Sequence, residues 1–257
     1  MHILVTNDDG VYAPGLLALA QAMRALGEVT VLAPERNWSV CGHSKTLDRP
    51  LRVRETSLAD GSAALTSDGA PSDCVALALL GAVPQQAGRF DLVVSGINPN
   101  ANLGHDITYS GTVTAAMEAV IGGVPGIAVS LDSKRGYGAP DYGPAARAAA
   151  QVAARVFQNG LPKGVLLSVN VPDLRGEQPK GFQITCQGQR VYREALDART
   201  DPRGNPYYWI GGDHPTGVIE DGTDFGALAA GCVSITPLHL DLTAYAAMDG
   251  LRAWEWE

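Results

Sequence analysis

Apolar positions along the chain fall into short runs that alternate with helical repeats. Residues 2–6 form a β-branched apolar run, residues 16–26 repeat Leu, Ala and Met at helical spacing, and residues 28–33 form a second apolar run closed by Pro34. This order predicts a strand, a helix and a second strand parallel to the first. Parallel strands joined in this way are expected to lie in a buried sheet.

The same alternation continues to residue 172. The predicted elements are strands at 51–54 and 63–66 paired as a hairpin, a helix at 71–80, a strand at 90–95, a helix from Gly111 or Thr112, a strand at 126–131, a helix at 142–158 and a strand at 165–171. We therefore predict an α/β fold, with a Rossmann-like, doubly wound, mostly parallel sheet as a catalytic core over residues 1–172.

The amino-acid composition and the pattern of predicted elements change after Pro172. Residues 173–257 are rich in Pro, Gly, Tyr and Trp, with short strand patterns and one hint of a helix at 227–230. We expect an antiparallel β extension that includes a C-terminal arm and the final core elements. Exposed aromatics such as Tyr207, Tyr208 and Trp209 need a cover, so the arm is a candidate for association between subunits. Residues 254–256 are interpreted as a docking tail or a frayed end.

Composition and charge limit the classes of function. The chain has 257 residues, 46% hydrophobic and 18% charged, as expected for a globular protein with one main core. Its formal net charge is −8, and it has no basic run. No nucleic-acid polymer is expected as a partner, since such binding needs clustered Lys and Arg. A small phosphate compound remains compatible if a metal or backbone amides supply positive charge.

The N-terminal residues and the cysteines bear on location and metal type. Residues 1–7 hold neither a basic leader nor a long apolar segment, and no apolar stretch reaches the length of a membrane span, which predicts a cytoplasmic protein without a membrane anchor. The four cysteines are scattered without a Cys-x-x-Cys pair. Free thiols are expected instead of a zinc site or disulfides.

Two adjacent carboxylates, Asp8 and Asp9, come directly after the first predicted strand. Ligands of parallel sheets bind beyond the carboxyl ends of strands, and repulsion within such a pair favours a divalent cation there. Oxygen ligands suit Mg²⁺, Mn²⁺ or Ca²⁺. The alternative is that Asp8 caps the following helix and Asp9 is solvated.

Polar loops after two other strands converge on the same predicted edge. Asn37 and Ser39 follow the second strand, and Asn98, Asn100 and Asn102 follow the strand at 90–95. Together these loops supply enough oxygen donors for one hydrated octahedral site. Turn formation is the alternative for the Asn residues, because Asn tolerates left-handed backbone.

Residues 109–113, YSGTV, lead directly into a helix. Backbone amides and hydroxyls at a helix N-terminus suit an anionic phosphate, although a Ser or Thr N-cap alone explains the same pattern. His43 and His105 are weak candidates for proton transfer, and Trp38 for stacking on a base. The chain lacks the G-x-G-x-x-G, phosphate-loop, H-E-x-x-H and G-x-S-x-G motifs.

Several motifs in the same order resemble those of the survival protein E family of 5′-nucleotidases. They are ILVTNDDG at 3–10, APERNWS at 33–39, GAPSDC at 69–74, SGIN at 95–98, YSGTV at 109–113 and SITPL at 234–238. Two positions depart from the family pattern: Val40 replaces a common glycine after Ser39, and Asn100 stands where glycine is usual.

The resemblance implies a phosphatase that hydrolyses nucleoside 5′- or 3′-monophosphates with one Mg²⁺ or Mn²⁺ ion. The implied metal ligands are Asp8, Asp9, Ser39 and Asn98, with Asp8 and Asp9 also catalytic, and the implied phosphate-binding residues are Asn98, Ser110, Gly111 and Thr112. It also implies a homodimer or homotetramer formed through the C-terminal arm. Short polyphosphate is a further candidate substrate.

Two rival functions use the same loops. A nonenzymatic nucleotide or metal sensor would bind ligand without turnover. A sugar-nucleotide transferase shares the sheet and an acidic metal motif but usually needs a second large domain, for which this chain is short.

Overall fold

A mostly parallel sheet forms the centre of the computed structural model, which describes residues 1–83, 90–133 and 138–256. The strands are β1 His2–Thr6, β2 Glu28–Pro34, β3 Val53–Ser57, β4 Ala63–Ser67, β5 Leu92–Asn98, β6 Gly126–Asp132, β7 Val165–Pro172, β8 Phe182–Ile184, β9 Arg190–Thr200, β10 Pro206–Gly217 and β11 Val233–His239. The helices are α1 Pro14–Arg24, α2 Pro71–Leu79, α3 Gly111–Ile121, α4 Gly143–Asn159, α5 Asp224–Ala229 and α6 Tyr245–Arg252, with a 3₁₀ turn at Gly104–Thr108.

Within the described residues, nine strands form this sheet in the order β3-β4-β2-β1-β5-β6-β7-β11-β8. The six strands from β4 to β7 run parallel, while β3 and β11 are antiparallel to their inner neighbours. The α/β class, the doubly wound parallel sheet and the antiparallel C-terminal addition are confirmed. The chain moves outward from β1 through β2 and then returns to place β5 on the other side of β1. This reversal makes the carboxyl ends of β1 and β5 a topological switch point.

Alternating strand residues bury both faces of the sheet. Ile3 and Val5 pack on the face covered by α1 and α4, whereas Leu4 packs on the face covered by α2. Side chains of successive strand residues point to opposite faces, so a continuous apolar run such as residues 3–5 is expected for a strand buried on both sides. This double burial holds β1 firmly at the centre.

Helix α1 presents one apolar face to the core. Leu16, Leu19, Ala20 and Met23 are all buried, and Pro14 occupies the first helical turn, where its missing N–H costs nothing. Burying each large side chain contributes about 1.5–3 kcal/mol before entropy is considered. The helix therefore packs along β1 and β5 and fixes the loop that precedes it.

The extension after Pro172 divides in two. Strands β9 and β10 form a separate antiparallel ribbon, as expected, whereas β11 returns to the main sheet beside β7. The predicted hairpin of β3 and β4 is also present, and β4 additionally pairs in parallel with β2. No helix in the described part of the chain is long and apolar enough to cross a membrane.

Candidate active site

The turn after β1 holds Asp8 and Asp9 at the switch point. The Asn7 side chain closes this turn by donating to the carbonyl of Gly10 at 3.0 Å and accepting from its N–H at 3.2 Å. Gly10 has a φ of +104°, and a Cβ there would lie 3.2 Å from the carbonyl carbon of Arg36. Glycine is therefore required for the close approach of the loop after β2.

Asp8 is buried against the N-terminus of α3. Its carboxylate accepts a hydrogen bond of 2.5 Å from the hydroxyl of Thr112, and a Cβ on Gly111 would lie 2.7 Å from the Asp8 Cβ. Helix α1 begins after Ala13 without a side-chain cap, so Asp8 does not cap the following helix. Burial raises the pKa of Asp8, and the hydrogen bond from Thr112 partly lowers it.

Asp9 is less buried than Asp8 and accepts a hydrogen bond of 3.2 Å from the side-chain amide of Asn37. Burial, and then the charge of Asp8, raise the pKa of Asp9 to about 7. Two neighbouring carboxylates, both with raised pKa, form a site whose electrostatics favour a cation.

The loop after β2 is tied over the end of β1. The N–H of Trp38 donates to the carbonyl of Asp8 at 2.7 Å, and the N–H of Ser39 donates to the side chain of Asn37 at 2.7 Å. Next in the loop, Val40 adopts a φ of +59°, a conformation that favours glycine. The loop thus brings Ser39 to the same edge as Asp8.

Asn98 ends β5, next to β1 in the sheet. Its side-chain nitrogen donates to the carbonyl of Asn100 at 2.5 Å, so its side-chain oxygen is the atom that remains for a cation or another donor. Asn102 has a different role. Its N–H donates to Asn170 and its side chain to Ser130, both at 2.8 Å, which ties the loop to β7 and β6.

Ser110 is the N-cap of α3 and accepts from the N–H of Val113 at 3.2 Å. The predicted cap is therefore present, and Ser110 also faces a cavity. Because the first N–H groups of a helix and its dipole attract anions, this N-terminus is suited to a phosphate group.

A cavity of about 440 Å³ lies at this edge of the sheet. It is lined by Asp8, Ser39, Val40, Asn98, Asn100, Ala101, Asn102, Asp106, Tyr109, Ser110, Arg190 and Pro215. Four of the residues implied by the family resemblance line it together, namely Asp8, Ser39, Asn98 and Ser110. Gly111 and Thr112 do not line it but contact Asp8, and Asp9 is joined to the loop through Asn37.

The donor set suits a hard cation. Among the described residues, no group of three or more His, Cys, Asp and Glu side chains is arranged to hold a metal. The residues implicated by sequence contribute two carboxylates, a hydroxyl and an amide oxygen, which are ligands that Mg²⁺ and Mn²⁺ accept when water completes the coordination. The residues present therefore fit a divalent ion.

Arg190 was not identified from the sequence. It is the first residue of β9, about 80 residues beyond the YSGTV motif at 109–113. No local sequence pattern distinguishes it as a residue of the cavity. Its position in the cavity depends on the ribbon folding back to the 3₁₀ turn. Asp106, which carries the opposite charge, was missed for the same reason.

The weaker candidates lie elsewhere. His43 Nε2 lies 3.1 Å from a carboxylate oxygen of Glu118, and His105 is exposed; neither lines the cavity. The guanidinium of Arg36 lies 4.5 Å from the ring centroid of Trp38, so that ring packs within its own loop. These contacts account for His43 and Trp38 structurally.

The chain is similar to known proteins over nearly its whole length. A family model described as survival protein SurE matches residues 3–194. Proteins named 5′-nucleotidase SurE from Herpetosiphon aurantiacus and Chloroflexus aggregans are 56% and 49% identical, over 95% and 100% of this chain and 94% and 100% of the relatives. The crystal structure of the SurE protein from Aquifex aeolicus superposes with a TM-score of 0.83 at 41% identity, covering 98% of both chains. The chain therefore belongs to the survival protein SurE family.

Proposed function

We propose that this chain is a 5′-nucleotidase, a phosphoric monoester hydrolase that converts nucleoside 5′-monophosphates to nucleoside and phosphate. The observation that carries the proposal is the contact between a buried carboxylate, Asp8, and the N-terminus of α3 in one cavity. A cation-binding group and an anion-binding group side by side suit a phosphate ester. The names of the relatives support the same activity.

We further propose that Asp8, Asp9, Ser39 and Asn98 hold one divalent ion, Mg²⁺ or Mn²⁺. When bound, such an ion supplies Lewis acidity toward a phosphoryl oxygen and lowers the pKa of coordinated water. The burial of Asp8 and the contact of Asp9 with Asn37 keep both carboxylates in place before any ligand arrives.

The remaining steps belong to the residues of the chain. Ser110 and Gly111, with Asn98, orient the phosphate and donate to its oxygens as negative charge redistributes during in-line attack. Thr112, whose hydroxyl donates to Asp8, holds that carboxylate beside the phosphate site. Asp8 or Asp9 accepts the proton of the attacking water. We also propose that the chain hydrolyses nucleoside 3′-monophosphates and short polyphosphate, because the same anion site can bind the terminal phosphate of these compounds.

The wider organisation is also proposed. We assign residues 1–172 to the catalytic core and residues 173–257 to the extension with its arm and final core elements. We propose a homodimer or homotetramer formed through the arm, because Tyr208 and Trp209 expose large apolar surfaces on the ribbon. The cytoplasmic location stays a prediction.

The direct test is phosphate release from a panel of nucleoside monophosphates. The protein is stripped with a chelator and then supplied with Mg²⁺ or Mn²⁺ separately. Release that disappears with the chelator and returns with metal supports the proposal. Nucleotide binding without release would favour a sensor, and transfer of a sugar would favour a transferase.

A further inference from the structure

Arg190 carries a positive charge into the candidate active site. Among the cavity-lining residues whose side chains the structure describes, it is the only cation; the others are acidic, polar or apolar. It comes from the start of β9, so it approaches from the extension and not from the core sheet. One side of the cavity is therefore lined by a positive side chain from the extension.

Asp106 holds the Arg190 guanidinium in place. An Nη2 nitrogen of Arg190 lies 2.7 Å from an oxygen of Asp106, and the two side chains are only 18% and 19% exposed. The other Asp106 oxygen accepts a hydrogen bond of 2.5 Å from the hydroxyl of Tyr192. Loss of surrounding water and the neighbouring carboxylate raise the pKa of Tyr192 to about 12, so this donor stays neutral at ordinary pH.

Asp224 fixes the backbone of the same segment. Its buried carboxylate accepts from the N–H of Gly104 at 2.7 Å and from the N–H of Gly188 at 2.8 Å. A Cβ on Gly104 would lie 2.5 Å from the carbonyl oxygen of Gly188, so the two backbones touch. This clamp joins the 3₁₀ turn that carries Asp106 to the residues that precede Arg190.

One donor of the Arg190 guanidinium has no partner in the described part of the chain. The buried Nε of Arg190 has no hydrogen-bond partner among the described residues, and the group stacks at 5.6 Å from the ring centroid of Phe225. A buried donor without a partner is unfavourable, and the planar fork of Arg matches the oxygens of a phosphate. Such a group is well suited to an anionic ligand.

We propose that Arg190 is a substrate-binding residue whose guanidinium contacts the phosphoryl oxygens, and that Asp106 is its positioning residue. The proposal rests on the proposed function. Charge balance supports it. A divalent ion would neutralise Asp8 and Asp9, and Asp106 offsets part of the charge of Arg190. The guanidinium would then add to the helix N-terminus in binding the substrate phosphate. A purely structural Arg190 would only tie the ribbon to the 3₁₀ turn.

The test measures phosphate affinity apart from turnover. Inorganic phosphate is titrated calorimetrically into the Mg²⁺-loaded Arg190→Gln variant and into an Arg199→Gln control, which changes an exposed arginine on the same strand that pairs with Asp197. We expect the Kd for phosphate to rise about tenfold or more in Arg190→Gln, as for loss of a charged hydrogen bond, and to stay unchanged in the control. The KM for the nucleotide should rise in parallel, while inhibition by the free nucleoside stays the same.

Further variants separate binding from structure. Arg190→Lys, which keeps the charge but not the fork, should recover part of the phosphate affinity, and Asp106→Asn should weaken it less than Arg190→Gln does. Unchanged phosphate affinity in a folded Arg190→Gln or Arg190→Lys protein overturns the proposal, as does an equal loss of nucleoside binding. The phosphate titration needs no catalysis, so a wild-type protein that releases no phosphate would refute the proposed function without deciding this result.

Discussion

Thr112, the second residue of α3, donates its hydroxyl hydrogen to a carboxylate oxygen of Asp8 across 2.5 Å. The bond joins the turn after β1 to a helical residue 104 positions later in the chain. It gives a buried acid a hydrogen-bond donor from the first turn of the helix. The carboxylate and the helix N-terminus are therefore held in a fixed relation before substrate binds.

Replacing Thr112 with Val should lower kcat/KM about 10- to 100-fold. The valine keeps the volume but removes the side-chain donor to Asp8, a loss comparable to a charged hydrogen bond of about 1.5–3 kcal/mol. Phosphate release at saturating metal measures the effect. Thr185→Val is the matched control, since it removes a buried hydroxyl that bonds to Ser234 and Thr236 away from the cavity. Equal losses in both variants would mean that the bond serves stability alone.

Replacing Asp9 with Asn should remove activity with little loss of folding. The change keeps the shape and removes a carboxylate from the proposed ligand set, so we expect kcat/KM to fall at least about 100-fold. The affinity for Mn²⁺, measured by electron paramagnetic resonance, should fall in parallel. Asp48→Asn, at an exposed carboxylate, should change neither quantity. Full turnover of Asp9→Asn at saturating metal would remove Asp9 from the catalytic set.

The fold could be predicted largely because its signals are local. The run at residues 2–6 and the stripe of α1 need only period and burial, and both elements are present. The parallel pairing of β4 with β2 and the return of β11 to β7 depend on contacts across many residues, which periodicity does not record. Strand order therefore required the structure.

The candidate site was partly predictable for the same reason. Asp8, Ser39 and Asn98 each follow a strand, and parallel strands bring their carboxyl ends to one edge. Whether Asp8 caps α1 depended on where that helix begins, and only the structure places the N-cap at Ala13. Arg190 arrives through the Asp224 clamp, whose bond to Gly104 spans 120 residues and has no sequence pattern.

Replacing Val40 with Gly should raise the free energy of unfolding by about 1 kcal/mol. A β-branched residue at a φ of +59° carries strain of about 1–3 kcal/mol, against which the extra freedom of an unfolded glycine costs about 0.5–1 kcal/mol. Urea unfolding at one protein concentration measures the difference. Val40→Ala, which keeps a Cβ without the branch, should gain less. A glycine variant that is no more stable than wild type would show that the loop tolerates Val40 without strain.

Glu118 should make stability depend on acid pH. It is buried on α3 and bonds to His43 at 3.1 Å and Lys45 at 2.7 Å, and these contacts hold its pKa below the usual value. A carboxyl whose folded pKa is depressed stabilises the protein above its unfolded pKa, near 4.3, and loses that contribution as pH falls through the folded pKa.

Glu118→Gln should therefore be less stable than wild type at pH 7, by about 1–3 kcal/mol, and the gap should close at acid pH below about 4. Chemical unfolding from pH 3 to 7 measures both curves. Glu55→Gln, an exposed change on β3, should follow wild type throughout. A gap that stays constant with pH would assign the effect of Glu118 to packing instead of charge.

The ribbon of β9 and β10 should mediate association. Tyr208, Trp209 and Ile210 are 59%, 63% and 81% exposed. Because successive strand residues point to opposite faces, both faces of the ribbon lack cover at these three positions within the described chain. The double change Tyr208→Ser and Trp209→Ser should shift the protein to a smaller assembly in size-exclusion chromatography with light scattering. Tyr12→Ser, at a side chain that is 71% exposed on the core, is the control and should leave the mass unchanged. An unchanged mass in the ribbon variant, together with a smaller mass after Trp254→Ser and Trp256→Ser, would move the interface to the C-terminal tail.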